Sequence, residues 1–305
     1  MDDVLNAPIL APPALDKPSS IYRSGPWKLA LAAARVLPLP IALAFGRAAS
    51  NCYGLFNSQR RQVVFENLLP LFDGDEAQAH AATRRLFTKF GGKLADLLRF
   101  EAGLNARARF KELTGWENFE APARRGGVLI AMAHLGNWEI GATLMIEKKV
   151  KFFAVTQGEP GRNFTEERRR ARARHGIETI VVGQDAFGFV EIIRRLQDGA
   201  SVALLIDRPS PQSAASVEFC GRRFLASMAP AELARASGCA VMGGYIVEEN
   251  GGYAARFFPE LPYDRRELGN REGRRQFTQQ ILSQYEPVIR RYADQWYHFV
   301  PIWPK

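Results

Sequence analysis

The sequence predicts an α/β fold in which helices flank a central sheet that is mixed or mostly parallel. Its 305 residues are 47% hydrophobic and 24% charged, a composition that is typical of a globular protein with a sizeable core. From residue 126 onward, short apolar segments alternate with helical patterns, which is the arrangement of an α/β sheet. No internal repeat or linker divides the chain. We therefore expect one domain over residues 21–305, with its α/β core at 126–305.

The elements of this core follow from apolar runs bounded by turn residues. The predicted strands are 127–133, 151–156, 178–182, 201–206, 240–247 and 253–258. The predicted helices are 138–148, 164–175, 186–198, 229–237 and 271–293. Before the core, residues 51–110 are predicted to be helical, because Leu86, Phe90 and Leu97 fall on one face at helical spacing.

The N-terminal region predicts a leader and a membrane-associating helix. Residues 1–20 carry four prolines and an acidic start, so we expect a disordered leader rather than a secretory signal. Residues 29–46 are almost wholly apolar but contain Arg35, Pro38 and Pro40. An arginine in a spanning helix costs about 2.5–3.5 kcal/mol on insertion scales. This segment is therefore interpreted as a helix in the membrane interface, and a buried core helix is the alternative.

The net charge indicates the class of partner, and the cysteine content indicates the redox environment. The formal net charge of +9 favours anionic partners, among which phospholipid head groups, phosphorylated glycolipids, an acidic carrier protein and nucleic acid stay open. The three cysteines, Cys52, Cys220 and Cys239, have no metal-ligand spacing and are expected to be reduced in a cytosolic environment.

Residues 133–140, Ala-His-Leu-Gly-Asn-Trp-Glu-Ile, directly follow a predicted strand and contain a histidine and a carboxylate five positions apart. On one regular helix, five steps of about 100° would leave them roughly 140° apart. At a strand-to-helix junction they converge if Gly136 makes a tight turn and Asn137 caps the helix. His134 is then a candidate base and Glu139 its orienting acid. A polar pair at a strand end with only a structural role is the alternative.

Two further stretches carry candidate site residues. The basic run at 163–176 predicts a helix that places Arg168 and Arg172 on one face, where they bind phosphate, position a carboxylate or form a solvated basic face. Asp207 follows the predicted strand 201–206, at the sheet edge where α/β proteins bind ligands. Two functional interpretations are a hydrogen bond to Arg172 and a hydrogen bond to an acceptor hydroxyl. The structural alternative is that Asp207 begins an ordinary turn.

The stretch His134-Leu135-Gly136-Asn137-Trp138-Glu139 resembles the His-x4-Asp/Glu block of the lysophospholipid acyltransferase superfamily, and most closely the lipid A late acyltransferases. Bacterial acyltransferases of phosphatidylinositol mannosides are similar in this block. The resemblance covers roughly residues 25–299 and includes the pair Gln295-Trp296. It implies a glycerolipid acyltransferase-like fold and substrate-binding roles for Asn137, Arg172 and Asp207. Where lipid A acyltransferases continue to His-Arg-Arg, this chain has Val300-Pro301-Ile302, so the acceptor is open.

The implied reaction is acyl transfer from a thioester to a hydroxyl of a lipid A precursor or related glycolipid. Neutral His134 removes the hydroxyl proton, Glu139 fixes its tautomer, and backbone N–H groups near Gly136 or a cation such as Arg172 stabilise the oxyanion. By resemblance the donor is acyl carrier protein, with coenzyme A as the alternative. The expected location is the cytoplasmic face of the bacterial inner membrane, in a peripheral or monotopic position.

No cofactor is expected, and no metal site is predicted because the four histidines lack ligand spacing. Three alternatives stay open: a phospholipid or lysophospholipid acyltransferase, a non-catalytic lipid-binding protein, and a nucleic-acid-binding protein. The last is disfavoured, since no groove-reading motif accompanies the charge.

Overall fold

The computed structural model describes residues 24–158, 162–183 and 187–304, without the side chains of residues 24, 162 and 163. The predicted leader at 1–20 lies outside the described residues. Helices and strands are labelled here in chain order. The N-terminal helices are α1 (Ser24–Val36), α2 (Leu39–Phe56), α3 (Ser58–Leu68) and α4 (Glu76–Glu101). The later helices are α5 (Trp116–Ala123), α6 (Trp138–Glu147), α7 (Arg162–Ala173), α8 (Phe187–Gln197), α9 (Ala229–Ser237) and α10 (Arg271–Arg291).

The strands are β1 (Phe110–Thr114), β2 (Val128–Met132), β3 (Phe152–Gln157), β4 (Glu178–Val182), β5 (Ser201–Leu205), β6 (Ala214–Phe219), β7 (Arg222–Ser227), β8 (Ala240–Glu249) and β9 (Gly252–Phe257). Seven of them form one sheet in the order β1-β9-β8-β2-β5-β3-β4. Its neighbours are parallel except for the antiparallel pair β8–β9, and β6 and β7 form a separate antiparallel hairpin. The predicted α/β class with a mostly parallel sheet is confirmed.

The predicted helix at 29–46 is two helices in the structure. The helix α1 ends at Val36, and α2 begins at Leu39 with Pro38 as its N-cap residue. Proline disfavours helical geometry in the residue before it, yet it is well accommodated in the first turn of a helix, so the chain breaks here and restarts. Within the part of the chain that the structure describes, no helix combines the length and apolar character that crossing a bilayer requires.

Helices α2 and α4 pack closely through facing glycines, which places α4 beside the later site. A Cβ atom on Gly91 would lie 2.2 Å from the carbonyl oxygen of Gly46, so both positions need the missing side chain. Helix α4 runs unbroken from Glu76 to Glu101, so the pair Gly91-Gly92 marks a helix contact and not a kink. Because Lys93 lies two residues after Gly91 on α4, this contact also fixes the position of Lys93 relative to α2.

The core lies on both faces of the sheet because its strands are covered on both sides. In β2, Leu129 and Ala131 join the core cluster that contains α8, α9 and α10. Val128 and Ile130 join the cluster that contains α5 and α6 on the other face. Side chains alternate along a strand, and strands buried on both faces are apolar throughout. This explains why the Val-Leu-Ile-Ala-Met run of β2 lacks polar residues.

Sequence patterns missed β1, α5 and the β6–β7 hairpin. Strand β1 contains Lys111, Glu112 and Thr114 and pairs at the sheet edge with β9, so its pattern is too polar to stand out. The short helix α5 carries Pro122 in its last turn. The two hairpin strands are joined by Cys220 and Gly221, both with positive φ. Cys-Gly is not one of the dipeptides that usually predict such a turn.

Candidate active site

His134 and Asp207 meet because of the register between β2 and β5. Met132 lies opposite Leu205 in this parallel pair, and each polar residue follows two positions later at the carboxyl edge of the sheet. The His134 Nδ1 atom lies 2.7 Å from Oδ1 of Asp207, and the His134 backbone N–H donates to Oδ2 at 2.9 Å. Asp207 therefore holds both the ring and the main chain of His134. Its side chain is fully buried, and among the described residues it makes no hydrogen bond with Arg172.

Two residues near the C-terminus complete the coordination of Asp207. The indole Nε1–H of Trp296 donates to Oδ2 at 2.9 Å, and Nε2 of His298 lies 3.0 Å from the same oxygen. Burial alone would raise the pKa of the Asp207 carboxyl, but its interactions with His134 and His298 bring that pKa well below its ordinary value. The ionised carboxylate places a proton on Nδ1 of His134. The unprotonated Nε2 is then left as the basic atom.

His298 is a buried neutral histidine. Burial lowers its pKa to about 4, against the opposing effect of the neighbouring Asp207 carboxylate. The segment that carries it is held by Asn67, whose side chain donates to the carbonyl oxygens of His298 and Val300 at 3.0 and 2.8 Å. Arg60 also donates to the carbonyl oxygen of Phe299. Helix α3 thus fixes the position of His298 relative to Asp207.

The loop after β2 is locked by backbone hydrogen bonds. Gly136 has a φ of 63°, and a Cβ atom there would lie 1.7 Å from the carbonyl oxygen of Ile246. The Gly136 N–H donates to Gln295 and the Asn137 N–H to Ile246, at 2.8 and 2.9 Å. These two N–H groups are occupied and therefore do not contribute to the oxyanion hole that we expect near Gly136. The cationic alternative stays open.

Asn137 does not face a substrate. It is 0% exposed, and its side-chain amide donates to the hydroxyl of Tyr253 at 3.1 Å. That hydroxyl donates in turn to Asp96 at 2.7 Å. Asn137 is the N-cap residue of α6, as predicted, although its side chain makes no capping hydrogen bond. The structure therefore assigns it to the support of the loop, contrary to the substrate-binding role that the resemblance implied.

Glu139 lies among cations rather than at His134. Its Oε1 atom accepts from Nζ of Lys93 at 3.1 Å, and its Oε2 atom accepts from Arg168 and from Arg172, the latter at 3.3 Å. Burial opposes ionisation, but these three charges bring the pKa of Glu139 far below its ordinary value. The expected hydrogen bond between His134 and Glu139 is not found among the described residues. Asp207 takes the position at Nδ1 because the β2–β5 register, not the motif spacing, decides which carboxylate reaches the ring.

Trp138 connects the histidine to the cations. Its ring packs edge-on against the His134 ring with centroids 5.0 Å apart, and Nζ of Lys93 lies 3.7 Å from its ring centroid. Such an ammonium–aromatic contact is strongest when the cation is removed from water, as Lys93 is here. Glu139 and His134 are thus neighbours of the same tryptophan, and both line one cavity.

The cavity has a volume of about 2090 Å³ and joins the polar groups to an apolar interior. His134, Glu139, Arg172 and Asp207 are all in its lining. Its apolar part is formed by side chains from α2, α4, α6 and the strands, among them Phe45, Phe90, Met132, Met145 and Phe152. The residues that replace the basic C-terminal element, Val300, Pro301 and Ile302, also line it.

A sequence model of the bacterial lipid A biosynthesis acyltransferases matches residues 27–305, which is nearly the whole chain. The chain belongs to this family. The predicted resemblance is therefore confirmed. A phosphatidylinositol mannoside acyltransferase of Mycolicibacterium smegmatis is 25% identical over 182 residues, covering 59% of this chain and 58% of that protein. One of Mycobacterium tuberculosis is 21% identical over 200 residues, covering 65% and 61%. The chain thus matches about three-fifths of the length of these relatives.

Two functional candidates in this acyltransferase-family chain escaped sequence reasoning. Lys93 could have been noticed in the sequence, because it lies on the same helical face as the apolar residues Leu86, Phe90 and Leu97. No sequence pattern pointed to His298, since a histidine between aromatic residues near a chain end indicates no particular partner. Its role depends on contacts that span 91 residues of sequence.

His134, Asp207 and His298 also form a group whose potential ligand atoms lie within 4.8 Å of one another. Zinc requires deprotonated ligand atoms, whereas the histidine nitrogens that face the Asp207 carboxylate carry hydrogen-bonding protons. Nδ1 of His134 and Nε2 of His298 both lie at hydrogen-bonding distance from Asp207. We interpret the group as a hydrogen-bonded unit that orients the proton of His134.

Proposed function

We propose that this chain is a membrane-associated O-acyltransferase. It moves a fatty acyl group from an acyl thioester to a hydroxyl of a lipid A precursor or a related glycolipid. The observation that carries the proposal is His134, which is oriented by a buried carboxylate and opens onto a cavity with an apolar interior. Membership of the family supports the same reaction.

In the proposed mechanism His134 acts as the general base and needs no covalent acyl-enzyme. Its Nε2 atom accepts the hydroxyl proton while the hydroxyl oxygen attacks the thioester carbonyl. Collapse of the tetrahedral intermediate breaks the carbon–sulfur bond, and the imidazolium gives its proton to the departing thiolate. Asp207 holds Nδ1–H throughout and stabilises the imidazolium. A positioned base of this kind contributes about 10²–10⁴-fold to the rate.

The acceptor and donor follow from chemistry and from the relatives. A lipid A precursor is the first choice, and the two mycobacterial relatives add a phosphatidylinositol mannoside as the related glycolipid. A phospholipid or lysophospholipid acceptor is the alternative. We place acyl carrier protein first as donor by resemblance to the lipid A acyltransferases, and coenzyme A second; the net charge of +9 agrees with an acidic carrier.

We place the protein on the cytoplasmic face of the bacterial inner membrane. Ile41, Phe45 and Phe56 recur at helical spacing along α2 and are exposed, and Leu29 and Val36 form a similar pair on α1. Exposed apolar side chains at this density suit insertion into the upper part of a bilayer leaflet. Nucleic acid is not a proposed partner, because Arg168 and Arg172 of the basic run are turned inward to Glu139.

Mass spectrometry of total lipids tests this proposal. Cells that make the wild-type chain should contain one lipid whose mass has increased by a single fatty acyl group. A His134→Ala variant should lack that product, while His80→Ala, which alters an exposed histidine stacked on Phe65, should retain it. The same product in cells with folded His134→Ala would contradict the mechanism. Lipid binding without any product from either thioester donor would instead support a non-catalytic lipid-binding protein.

A further inference from the structure

Five ionisable side chains are buried beside Trp138 and contact one another. We call them the buried charge cluster: Lys93, Glu101, Glu139, Arg168 and Arg172. None has a side chain more than 12% exposed. Lys93 and Arg172 share one carboxylate, that of Glu139, which also accepts from Arg168. Charges are buried at a high energetic cost unless they are compensated.

Both carboxylates of the cluster are already engaged. Glu101 accepts Nε1–H of Trp27 on Oε2 and Nε–H of Arg168 on Oε1. Glu139 accepts Lys93 on Oε1 and both arginines on Oε2. The next acid along α4, Asp96, is bound to Arg109 and Tyr253. Asp96 is therefore not available to Lys93 or Arg172.

The cations, in contrast, keep donors to spare. Lys93 has three N–H groups and Arg172 has five, yet each makes one hydrogen bond in the described structure, to Glu139. Both side chains line the cavity. Burial, together with the neighbouring positive charges, lowers the pKa of Lys93 and of Arg172, although Glu139 acts in the opposite direction. An anion in the cavity beside them would relieve this repulsion.

We propose that Lys93 and Arg172 bind a phosphate group that one of the two substrates of the proposed acyl transfer carries. A phosphate brings negative charge and several acceptor oxygens, which the spare donors of an ammonium and a planar guanidinium together bind. The thioester and the acceptor hydroxyl are neutral, so neither reacting group supplies that charge. The ring of Trp138 lies between Lys93 and His134. A phosphate bound by Lys93 would therefore lie near the reacting hydroxyl and thioester without contacting His134.

This inference rests on the proposed function for the identity of the ligand, but it is tested without catalysis. Inorganic pyrophosphate is titrated into the full chain while tryptophan fluorescence is recorded, and Trp138→Phe identifies the tryptophan that responds. We expect saturable binding in the wild type. Lys93→Met and Arg172→Met should each weaken it about tenfold or more, as expected for a lost charge-assisted hydrogen bond. Lys93→Arg keeps the charge and should retain binding.

Arg170→Gln is the matched control, because Arg170 lies on the exposed face of α7 and pairs with Glu166. It should bind pyrophosphate as the wild type does. Thermal melting of each variant shows whether it is folded, and the uncharged but polar variants Lys93→Gln and Arg172→Gln replace the methionine variants if those unfold. Absence of saturable binding, or equal binding by wild type and folded Lys93→Met, would overturn the proposal.

Competition identifies which substrate carries the phosphate. Displacement of pyrophosphate by coenzyme A but not by pantetheine assigns the site to the donor. Displacement by detergent micelles that contain phosphatidylinositol, but not by detergent micelles that contain diacylglycerol, assigns it to the acceptor. If none of the four competes, the site does not bind a substrate phosphate and the proposal fails. The proposed acyl transfer is judged separately, by the lipid product of the His134→Ala comparison.

Discussion

The carboxylate of Asp207 accepts both the ring N–H and the backbone N–H of His134, at 2.7 and 2.9 Å. The interaction crosses 73 residues of sequence and joins the ends of two adjacent parallel strands. Such a bidentate arrangement fixes the tautomer and the orientation of the imidazole at once. The pair therefore gives the proposed enzyme its base.

Replacing Asp207 with asparagine should abolish most of the acyl transfer. The amide has nearly the same shape but no charge, so it no longer selects the Nδ1–H tautomer or stabilises the imidazolium. We expect kcat to fall about 10²–10⁴-fold. Initial rates with a radiolabelled acyl donor measure this, and Asp198→Asn at the opposite end of β5 is the control. A fall of less than about threefold in a folded Asp207→Asn protein would exclude the proposed role.

The free energy of unfolding should decrease as the pH falls from about 6.5 to about 4 because of His298. The folded protein holds this imidazole neutral, since its pKa is lowered to about 4, whereas the unfolded chain takes up the proton near its ordinary pKa. The unfolded state then binds more protons in this range, and stability is lost on acidification. One such group gives a slope of at most about 1.4 kcal/mol per pH unit.

Urea denaturation at several pH values measures that slope. In His298→Gln, a neutral side chain that still reaches Asp207, the slope between these pH values should be smaller by this amount. His175→Gln provides the control, because its ring stacks on Phe100 away from Asp207. An unchanged slope in His298→Gln would show that the folded protein does not hold His298 neutral.

Gly136→Ala should destabilise the protein and displace His134. At a φ of 63° an L-residue costs about 1–2 kcal/mol, and the new Cβ atom would overlap the carbonyl oxygen of Ile246. We expect a loss of more than 2 kcal/mol in the free energy of unfolding, roughly the sum of strain and displacement. Gly126→Ala has open space around its Cβ position and should change stability little. Equal urea midpoints for the two variants would contradict this reasoning.

Phe45→Ser together with Phe56→Ser should weaken binding to phospholipid vesicles. These side chains are 70% and 91% exposed, so they contribute little to the fold but would be buried in a bilayer. Burial of one phenylalanine is worth about 1.5–3 kcal/mol, which predicts at least a tenfold loss of partitioning. Ala44→Ser with Ala48→Ser alters exposed sites on the same helix and should have little effect. Vesicle sedimentation measures the difference, and equal partitioning of both variants would refute docking through α2.

The sequence alone determined the fold class, because the period of apolar residues distinguishes buried strands from amphipathic helices without knowledge of their partners. It also determined the position of His134 at the end of β2, since a glycine turn after an apolar run marks the carboxyl edge of a sheet. The placing of Arg168 and Arg172 on one helical face is equally local. All three inferences use residues that lie within a few positions of one another.

The carboxylate that serves His134 is selected by long-range packing and not by the local motif. The motif places Glu139 near it in sequence, but strand register brings Asp207 to the ring and leaves Glu139 to Lys93 and the two arginines. The contribution of His298 likewise depends on a C-terminal segment held by Asn67. Strand order, register and the path of distant segments arise from packing of the whole chain, and no local pattern encodes them.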